Sequence, residues 1–185
     1  MKRRRFPHDD EERRKRQDPE SILRDIGLGP GFVFVDVGCG EGFFAIPAAG
    51  IVGKSGMVYG LDVNGETVDK LGEIVKAKGL KNLSLRVGKA EELVMCDSCA
   101  DIVFFGLDFH EFEDRAKVLV NAKRMLKPGG ALAVLDWKKE PMDFGPPFEE
   151  RISEDEAARL VEAAGFEVEF VKDAGAHHYL LKTRP

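Results

Sequence analysis

The sequence has no apolar run long enough to span a bilayer, which excludes a transmembrane helix as its organising feature. Its N-terminus is charged, and no hydrophobic segment follows that could serve as a secretion signal. A cytoplasmic protein is therefore expected. Cysteine is scarce: Cys39, Cys96 and Cys99 are odd in number and lack the spacing of a secreted scaffold, so no disulfide framework is implied. Cys96 and Cys99 form a C-x-x-C, but no further cysteine or nearby histidine completes a four-ligand site, and no metal is expected. Positive charge is not in excess either. With 28 Lys and Arg against 33 Asp and Glu, the net charge is -5, and the global balance gives no support to a nucleic-acid partner.

What is present divides the chain unevenly. Residues 1–17 carry the basic clusters Lys2 to Arg5 and Arg13 to Arg16 around the acidic run Asp9 to Glu12, and are expected to form a flexible charged arm; a short phosphate-gripping arm is the alternative. Residues 18–185 read as one domain, with no internal repeat and enough apolar residues for a continuous core.

Within that domain strands and helices alternate. Asp18, Pro19 and Gly27 bracket a short helix as cap, first residue and stop. Phe32 to Val35 is a continuously apolar run suited to a strand buried on both faces. A helix over Phe43 to Val52 follows, in which Pro47 must lie in the first turn or bend the helix. Then come a strand at Met57 to Leu61, a helix over Glu66 to Lys78 with Val68, Leu71, Ile74 and Val75 at helical spacing, and a strand at Leu83 to Val87. The pattern repeats with a strand near Ile102 to Phe105, a helix near Asp114 to Leu126 and a strand at Ala131 to Leu135. Ser153 and Glu156 form a capping box that opens a last helix. Phe166 to Lys172 and Tyr179 to Thr183 are too close for a crossover and are expected to pair as an antiparallel hairpin. The order implies an α/β fold, doubly wound and Rossmann-like, whose mostly parallel seven-stranded sheet has one antiparallel strand and helices on both faces.

The most informative segment is the turn VDVGCGEGF. Gly38, Gly40 and Gly42 follow a buried strand and lead into a helix, where glycine lets the backbone turn tightly and approach a ligand at the strand's carboxyl end. Asp36 precedes the turn, and Asp62 closes the second strand, where a carboxylate can accept hydrogen bonds from both ribose hydroxyls of a nucleoside cofactor. Dinucleotide sites use G-x-G-x-x-G. Here Phe43 stands where the third glycine would fall, which argues against close pyrophosphate packing.

These residues resemble the class I S-adenosylmethionine-dependent methyltransferases, over about Phe32 to Thr183. The likeness implies that Asp36, Gly38, Gly40 and Gly42 surround the methionine part of the cofactor and that Asp62 binds its ribose. Gly88-Lys89-Ala90-Glu91 is similar to the family's motif after the third strand, with a departure: Lys89 cannot accept a hydrogen bond from the adenine amino group. Adenine recognition is then expected from the backbone of Ala90 and from apolar walls that include Val63, and Glu91 is counted with the cofactor-binding residues. In DIVFFGLDFHEFED the resemblance places Gly106 and Leu107 near the cofactor and His110 and Glu111 towards the substrate. Within the class the sequence is most like ubiquinone and menaquinone biosynthesis C-methyltransferases.

The resemblance implies S-adenosylmethionine as cofactor and a small-molecule methyl acceptor, whose acceptor atom (carbon, oxygen, nitrogen or sulfur) stays open, as does oligomeric state. In such a transfer the protein mainly aligns reactants and excludes water. If a proton must be removed, His110 is the first candidate base and Glu111 the second; the other role open to His110 is to pack beside the following helix. Trp137 to Arg151, with Phe144 and Phe148, is the expected substrate lid, unless its prolines merely stiffen a connection. A metalloid acceptor held by Cys96 and Cys99 is a further alternative, and His177 and His178 are expected to be structural. A non-catalytic protein of the same fold, or an NAD-dependent oxidoreductase, are the rival functions. Nucleobase amino-methylation is disfavoured by Gly106-Leu107-Asp108-Phe109 where those enzymes carry a D-P-P-Y-like motif.

Overall fold

The inner strands are apolar on both faces, and each face is covered by helices in the computed structural model, which describes Arg13, Arg14 and residues 17–184. In chain order the elements are α1 (Pro19–Asp25), β1 (Val33–Val37), α2 (Ala45–Val52), β2 (Met57–Asp62), α3 (Gly65–Ala77), β3 (Leu83–Val87) and β4 (Ala100–Gly106). They continue with α4 (Arg115–Met125), β5 (Leu126–Trp137), α5 (Glu154–Ala163), β6 (Glu167–Asp173) and β7 (His178–Arg184). The sheet order is β3-β2-β1-β4-β5-β7-β6. All adjacent pairs from β3 to β5 are parallel, whereas β7 is antiparallel to both β5 and β6. One reversed strand in seven is the arrangement that the closing hairpin demands.

Alternation along the strands splits the core in two. Phe34, Ile102, Phe104, Ala133 and Leu135 pack with α1, α2 and α3 on one face; Val35, Val103, Phe105, Leu132 and Val134 pack with α4 and α5 on the other. The helix signals act as their chemistry requires. Asp18 accepts from the Glu20 N–H, Asn64 from Thr67, Asp114 from Lys117 and Ser153 from Glu156. Pro47 is the third residue of α2, where its missing N–H costs no intrahelical bond.

Three departures from the sequence reading have local causes. β5 begins at Leu126, not Ala131: Leu126 pairs with Ala100, and the register with β4 then shifts before Ala131 pairs with Ile102, with Gly129 between them at φ +80°. Ile74 is partly exposed at the edge of the buried face of α3. Cys96 and Cys99 are not free thiols: the turn before β4 brings their Cα atoms to 5.9 Å and they form a disulfide. That turn feeds the amino end of β4, and neither cysteine lines the large cleft described below, so the pair cannot hold an acceptor there. Among the described residues no group of three or more ligating side chains gathers for a metal, and no helix is long and apolar enough to cross a membrane. Most of the segment read as a charged arm lies outside the described residues; within it, Gln17 is buried and Arg13 packs on Phe43.

Gly42 fixes the entry to α2. Its φ is +87°, and a methyl there would run into Leu71. Gly42→Ala is expected to lose roughly 2–4 kcal/mol in urea unfolding, combining left-handed strain with overpacking. Gly40→Ala meets open space and should lose only about 1–2 kcal/mol.

Candidate active site

The strand order reverses between β1 and β4, and at that switch point, outside the carboxyl ends of the strands, lies a cleft of about 1660 Å³. Its floor is the turn from β1 to α2. Gly38, Gly40 and Gly42 all have positive φ, at 78°, 50° and 87°. The Leu61 carbonyl accepts from both Gly38 and Cys39, at 2.7 and 3.0 Å, which ties the turn to β2. Asp62 ends β2 beside it, one oxygen accepting from Gly40 N at 2.9 Å and the other from Asn64 N at 2.8 Å. Each carboxylate oxygen has a second lone pair, so these bonds orient Asp62 without exhausting it.

Two carboxyls in this region lack partners. Asp36 follows Phe34 on the α2 face of β1, is buried, and makes no hydrogen bond of good geometry through either oxygen. Loss of solvation first, and the charge of Asp62 second, push its pKa up to about 7, against smaller opposing pulls from Arg13 and the Ala45 N–H. Asp108 lies directly against Gly38, with Oδ2 buried and unbonded. Burial, then Glu111 and three other carboxylates, hold its pKa well above the usual range. A cleft whose open glycine floor lies against the desolvated Asp108 suits a ligand that brings positive charge and needs close backbone approach, which describes a sulfonium with an amino-acid tail.

Eight of the ten expected cofactor residues line the cleft: Gly38, Gly40, Asp62, Val63, Ala90, Glu91, Gly106 and Leu107. Asp36 and Gly42 do not; Asp36 sits behind the turn, and Gly42 packs on Leu71. At the β3 end Ala90 is buried, while Val63 is 67% exposed. Asn121 of α4 fixes that segment by donating to the Ala90 and Glu91 carbonyls at 2.8 and 3.0 Å, and Glu91 accepts from the Glu113 N–H. Lys89 pairs with Glu113 at 3.5 Å. Leu107 has φ +73°, a conformation that costs a branched side chain about 1–2 kcal/mol and is held by its N–H bond to Leu135.

His110 and Glu111 also line the cleft. His110 is buried in a short 3₁₀ turn, Phe109–Glu111, and its Nδ1 lies 2.7 Å from Oδ1 of Asp136, a fully buried residue near the end of β5. Asp136 Oδ2 accepts from the His110 N–H at 2.9 Å. A carboxylate only accepts, so Nδ1 carries the hydrogen, and in the neutral imidazole Nε2 is then the acceptor. Glu111 Oε1 is 3.9 Å from Nε2. Arg115 holds the turn from behind through the Phe109 and His110 carbonyls.

The expected lid covers the opposite wall, with Pro141 to Phe148 lining it. Its organiser is Arg151, whose buried guanidinium donates to the carbonyls of Pro146, Glu140 and Phe144 at 2.9, 2.6 and 3.0 Å. Phe144 packs edge-on against Trp137 and His177. His178 is buried against Trp137, and burial lowers its pKa to about 3, as befits a structural group. Sequence reading missed Asp136, Asp108, Asn121 and Arg151. For Asp136 a signal existed: an acid interrupts the apolar run ALAVLDW.

One outcome follows for the stability of the protein. Asp36 binds its proton more tightly folded than unfolded, so its ionisation removes stability as pH rises from about 4 to 7. Asp36→Asn should therefore gain stability over the parent progressively across that window, reaching about 2–4 kcal/mol by pH 8 in denaturant titrations.

Comparison with known proteins bears on the family and the fold. A family described as "Methyltransferase domain" matches residues 28–172. A demethylmenaquinone methyltransferase from Geobacillus kaustophilus is 38% identical over 127 residues, 68% of this chain and 53% of that protein. The chain thus spans about half the length of the curated relatives it matches. The crystal structure of a SAM dependent methyltransferase from Aquifex aeolicus superposes with TM-score 0.90 at 37% identity, covering 95% of this chain and 93% of that one. A putative type 11 methyltransferase from Sulfolobus solfataricus gives TM-score 0.74 at 27% identity, over 91% and 92% of the two chains. With the family match covering most of the chain, the oxidoreductase alternative falls away, and the chain belongs to the class I S-adenosylmethionine-dependent methyltransferases.

Proposed function

We propose that the chain transfers a methyl group from S-adenosylmethionine to a small aromatic hydroxyl compound of the quinol kind, with His110 as the base. The observation that carries this reading is the buried His110–Asp136 pair presenting Nε2 to a cleft whose far wall is aromatic and proline-rich. The relative named for demethylmenaquinone supports a quinone-related acceptor.

Bound in the cleft, the cofactor supplies a methyl group on a positively charged sulfur. The chain's residues do the rest. Asp62, oriented by the Gly40 and Asn64 N–H groups, offers its remaining lone pairs to the ribose hydroxyls. The glycine floor lets the methionine part lie against the backbone, and Ala90, Glu91 and Val63 flank the adenine. The hydroxyl proton of the acceptor passes to His110 Nε2, while Asp136 keeps the tautomer and stabilises the imidazolium that forms. The electron density released into the ring would let its carbon take the methyl as the methyl–sulfur bond breaks and its electron pair goes to the sulfur; the ring hydrogen then moves to the oxygen, which restores the aromatic hydroxyl compound, and His110 gives up its proton to solvent as the product leaves. The lid, tied down by Arg151, excludes water.

Methyl-labelled S-adenosylmethionine with a short-chain prenylated 1,4-naphthoquinol tests the reading: label is expected on the ring, and label appearing only on thiol or amine acceptors would overturn it. Asp136→Asn and His110→Gln should each lower kcat by roughly 10²–10⁴-fold while leaving S-adenosylhomocysteine affinity unchanged. Full turnover in both variants would remove the base. Asp62→Ala should weaken S-adenosylhomocysteine binding by about 2–4 kcal/mol in calorimetry. In thermal melts the parent protein should be raised by S-adenosylhomocysteine and not by NAD.

A further inference from the structure

The Cys96–Cys99 disulfide has no part in the proposed transfer, yet it closes a segment that borders the cleft. The connection from β3 to β4 starts at the cleft, where Gly88, Lys89, Ala90 and Glu91 are lining residues. It then runs along α4 as a strap. Asn121 donates to the Ala90 and Glu91 carbonyls at 2.8 and 3.0 Å, Leu93, Val94 and Met95 pack against the core on the α4 face, and the Met95 N–H meets Met125 Sδ at 3.4 Å. At the far end the disulfide turn closes off the helix. Ser98 N–H donates to the Arg124 carbonyl and Cys99 N–H to that of Met125, both at 2.9 Å, and Arg124 pairs with Asp97 through two donors. One helix thus holds the strap at both ends.

The bond is placed to open. Both cysteines are half-buried, and Asp97 and Ser98 between them are exposed, which leaves the turn within reach of a small thiol. The ring spans four residues, and so short a loop restricts the unfolded chain less than a long-range bridge would. Inside it Ser98 holds φ +48°, a left-handed conformation that strains a residue with a side chain. Exposed or strained disulfides are the exchangeable ones, whereas structural ones resist reduction. The free cysteine, Cys39, is buried in the glycine turn, away from this exchange.

We propose that Cys96–Cys99 is a reversible thiol–disulfide couple, exchanged with dithiols, whose oxidised form tightens cofactor binding by fixing the strap on α4. The effect on binding rests on the cofactor reading above. A thiolate of the dithiol attacks one cysteine sulfur; the Cys96–Cys99 bond breaks, a mixed disulfide forms, and the departing sulfur takes up a proton. The second thiol, losing its own proton, then closes on the first and expels the other cysteine, which is protonated in turn. Two electrons and two protons pass to the protein, and the dithiol leaves as a cyclic disulfide. With the ring open, no covalent bond holds Ser98 left-handed, the two N–H groups that close α4 come away with it, and the strap loses its far anchor.

The test uses the whole chain in dithiothreitol buffers of chosen reduced-to-oxidised ratio. Alkylation followed by intact mass counts the thiols, calorimetry measures S-adenosylhomocysteine binding, amide exchange follows residues 88–99, and a thermal melt in each state checks the fold. Reduction should expose two alkylatable thiols, weaken S-adenosylhomocysteine roughly 5–20-fold and speed exchange along the strap, all three reversing on reoxidation. The double variant Cys96→Ser/Cys99→Ser should bind like the reduced parent whatever the buffer; one that still responds to the buffer would overturn the proposal. Equal affinity in both states, or sulfurs that stay bonded while the protein is folded, would also overturn it and leave the cofactor reading intact. Loss of the cooperative melt on reduction would make the bond a structural staple, with the same consequence. Failure of the oxidised parent to bind S-adenosylhomocysteine would overturn both.

Discussion

The turn between β1 and α2 follows a buried acid, Asp36, whose oxygens make no hydrogen bond of good geometry. Asp36 precedes the turn by two residues, and the turn holds three positive-φ glycines within five positions. A side chain at Gly38 would strike Asp108, and one at Gly42 would strike Leu71, so the turn admits no bulk on its inner side. The result is an uncovered backbone floor next to two desolvated carboxyls, an arrangement costly in the empty protein. Such a cost is tolerable where a cationic ligand later offsets it.

The sheet determines what faces that floor. Because β4 and β5 are parallel neighbours in register from Ile102–Ala131 to Gly106–Leu135, the 3₁₀ turn after β4 lands on the end of β5, and His110 meets Asp136. The reversed β7 then seals the other side of β5: Tyr179 pairs with Asp136 and His178 with Trp137, which keeps the carboxylate dry. A dry carboxylate holding one imidazole nitrogen is the arrangement on which the proposed base role of His110 rests. The lid forms the remaining wall, and its irregular course is stable because Arg151 collects three of its carbonyls.

Much of this was legible in the residues, for reasons that are local. Strand runs such as FVFV, caps such as Asp18 and Ser153 and the stops at Gly27, Gly79 and Gly165 report their own conformation, and the glycine turn and Asp62 lie at strand ends that periodicity locates. Features that depend on contacts distant in sequence were not legible. His110 and Asp136 are 26 residues apart and become a pair only once β4 and β5 are neighbours. Arg151 is one more charge in an acidic loop until the loop folds around it. The Cys96–Cys99 disulfide follows from a turn geometry that an odd cysteine count concealed. The separation of Asp36 from the cleft wall is a matter of side-chain direction, since Asp36 follows Phe34 to the helix-covered face.

The central claim is that the cofactor's positive charge relieves the buried carboxyl that precedes the glycine turn. Calorimetry of S-adenosylhomocysteine binding near pH 6.5, in buffers of different ionisation enthalpy, measures the protons exchanged on binding. A ligand ammonium placed near Asp36 must draw its pKa down from about 7, so net proton release is predicted, diminished in Asp36→Asn. Binding with no dependence on buffer, or with the same release in the variant, would contradict the account.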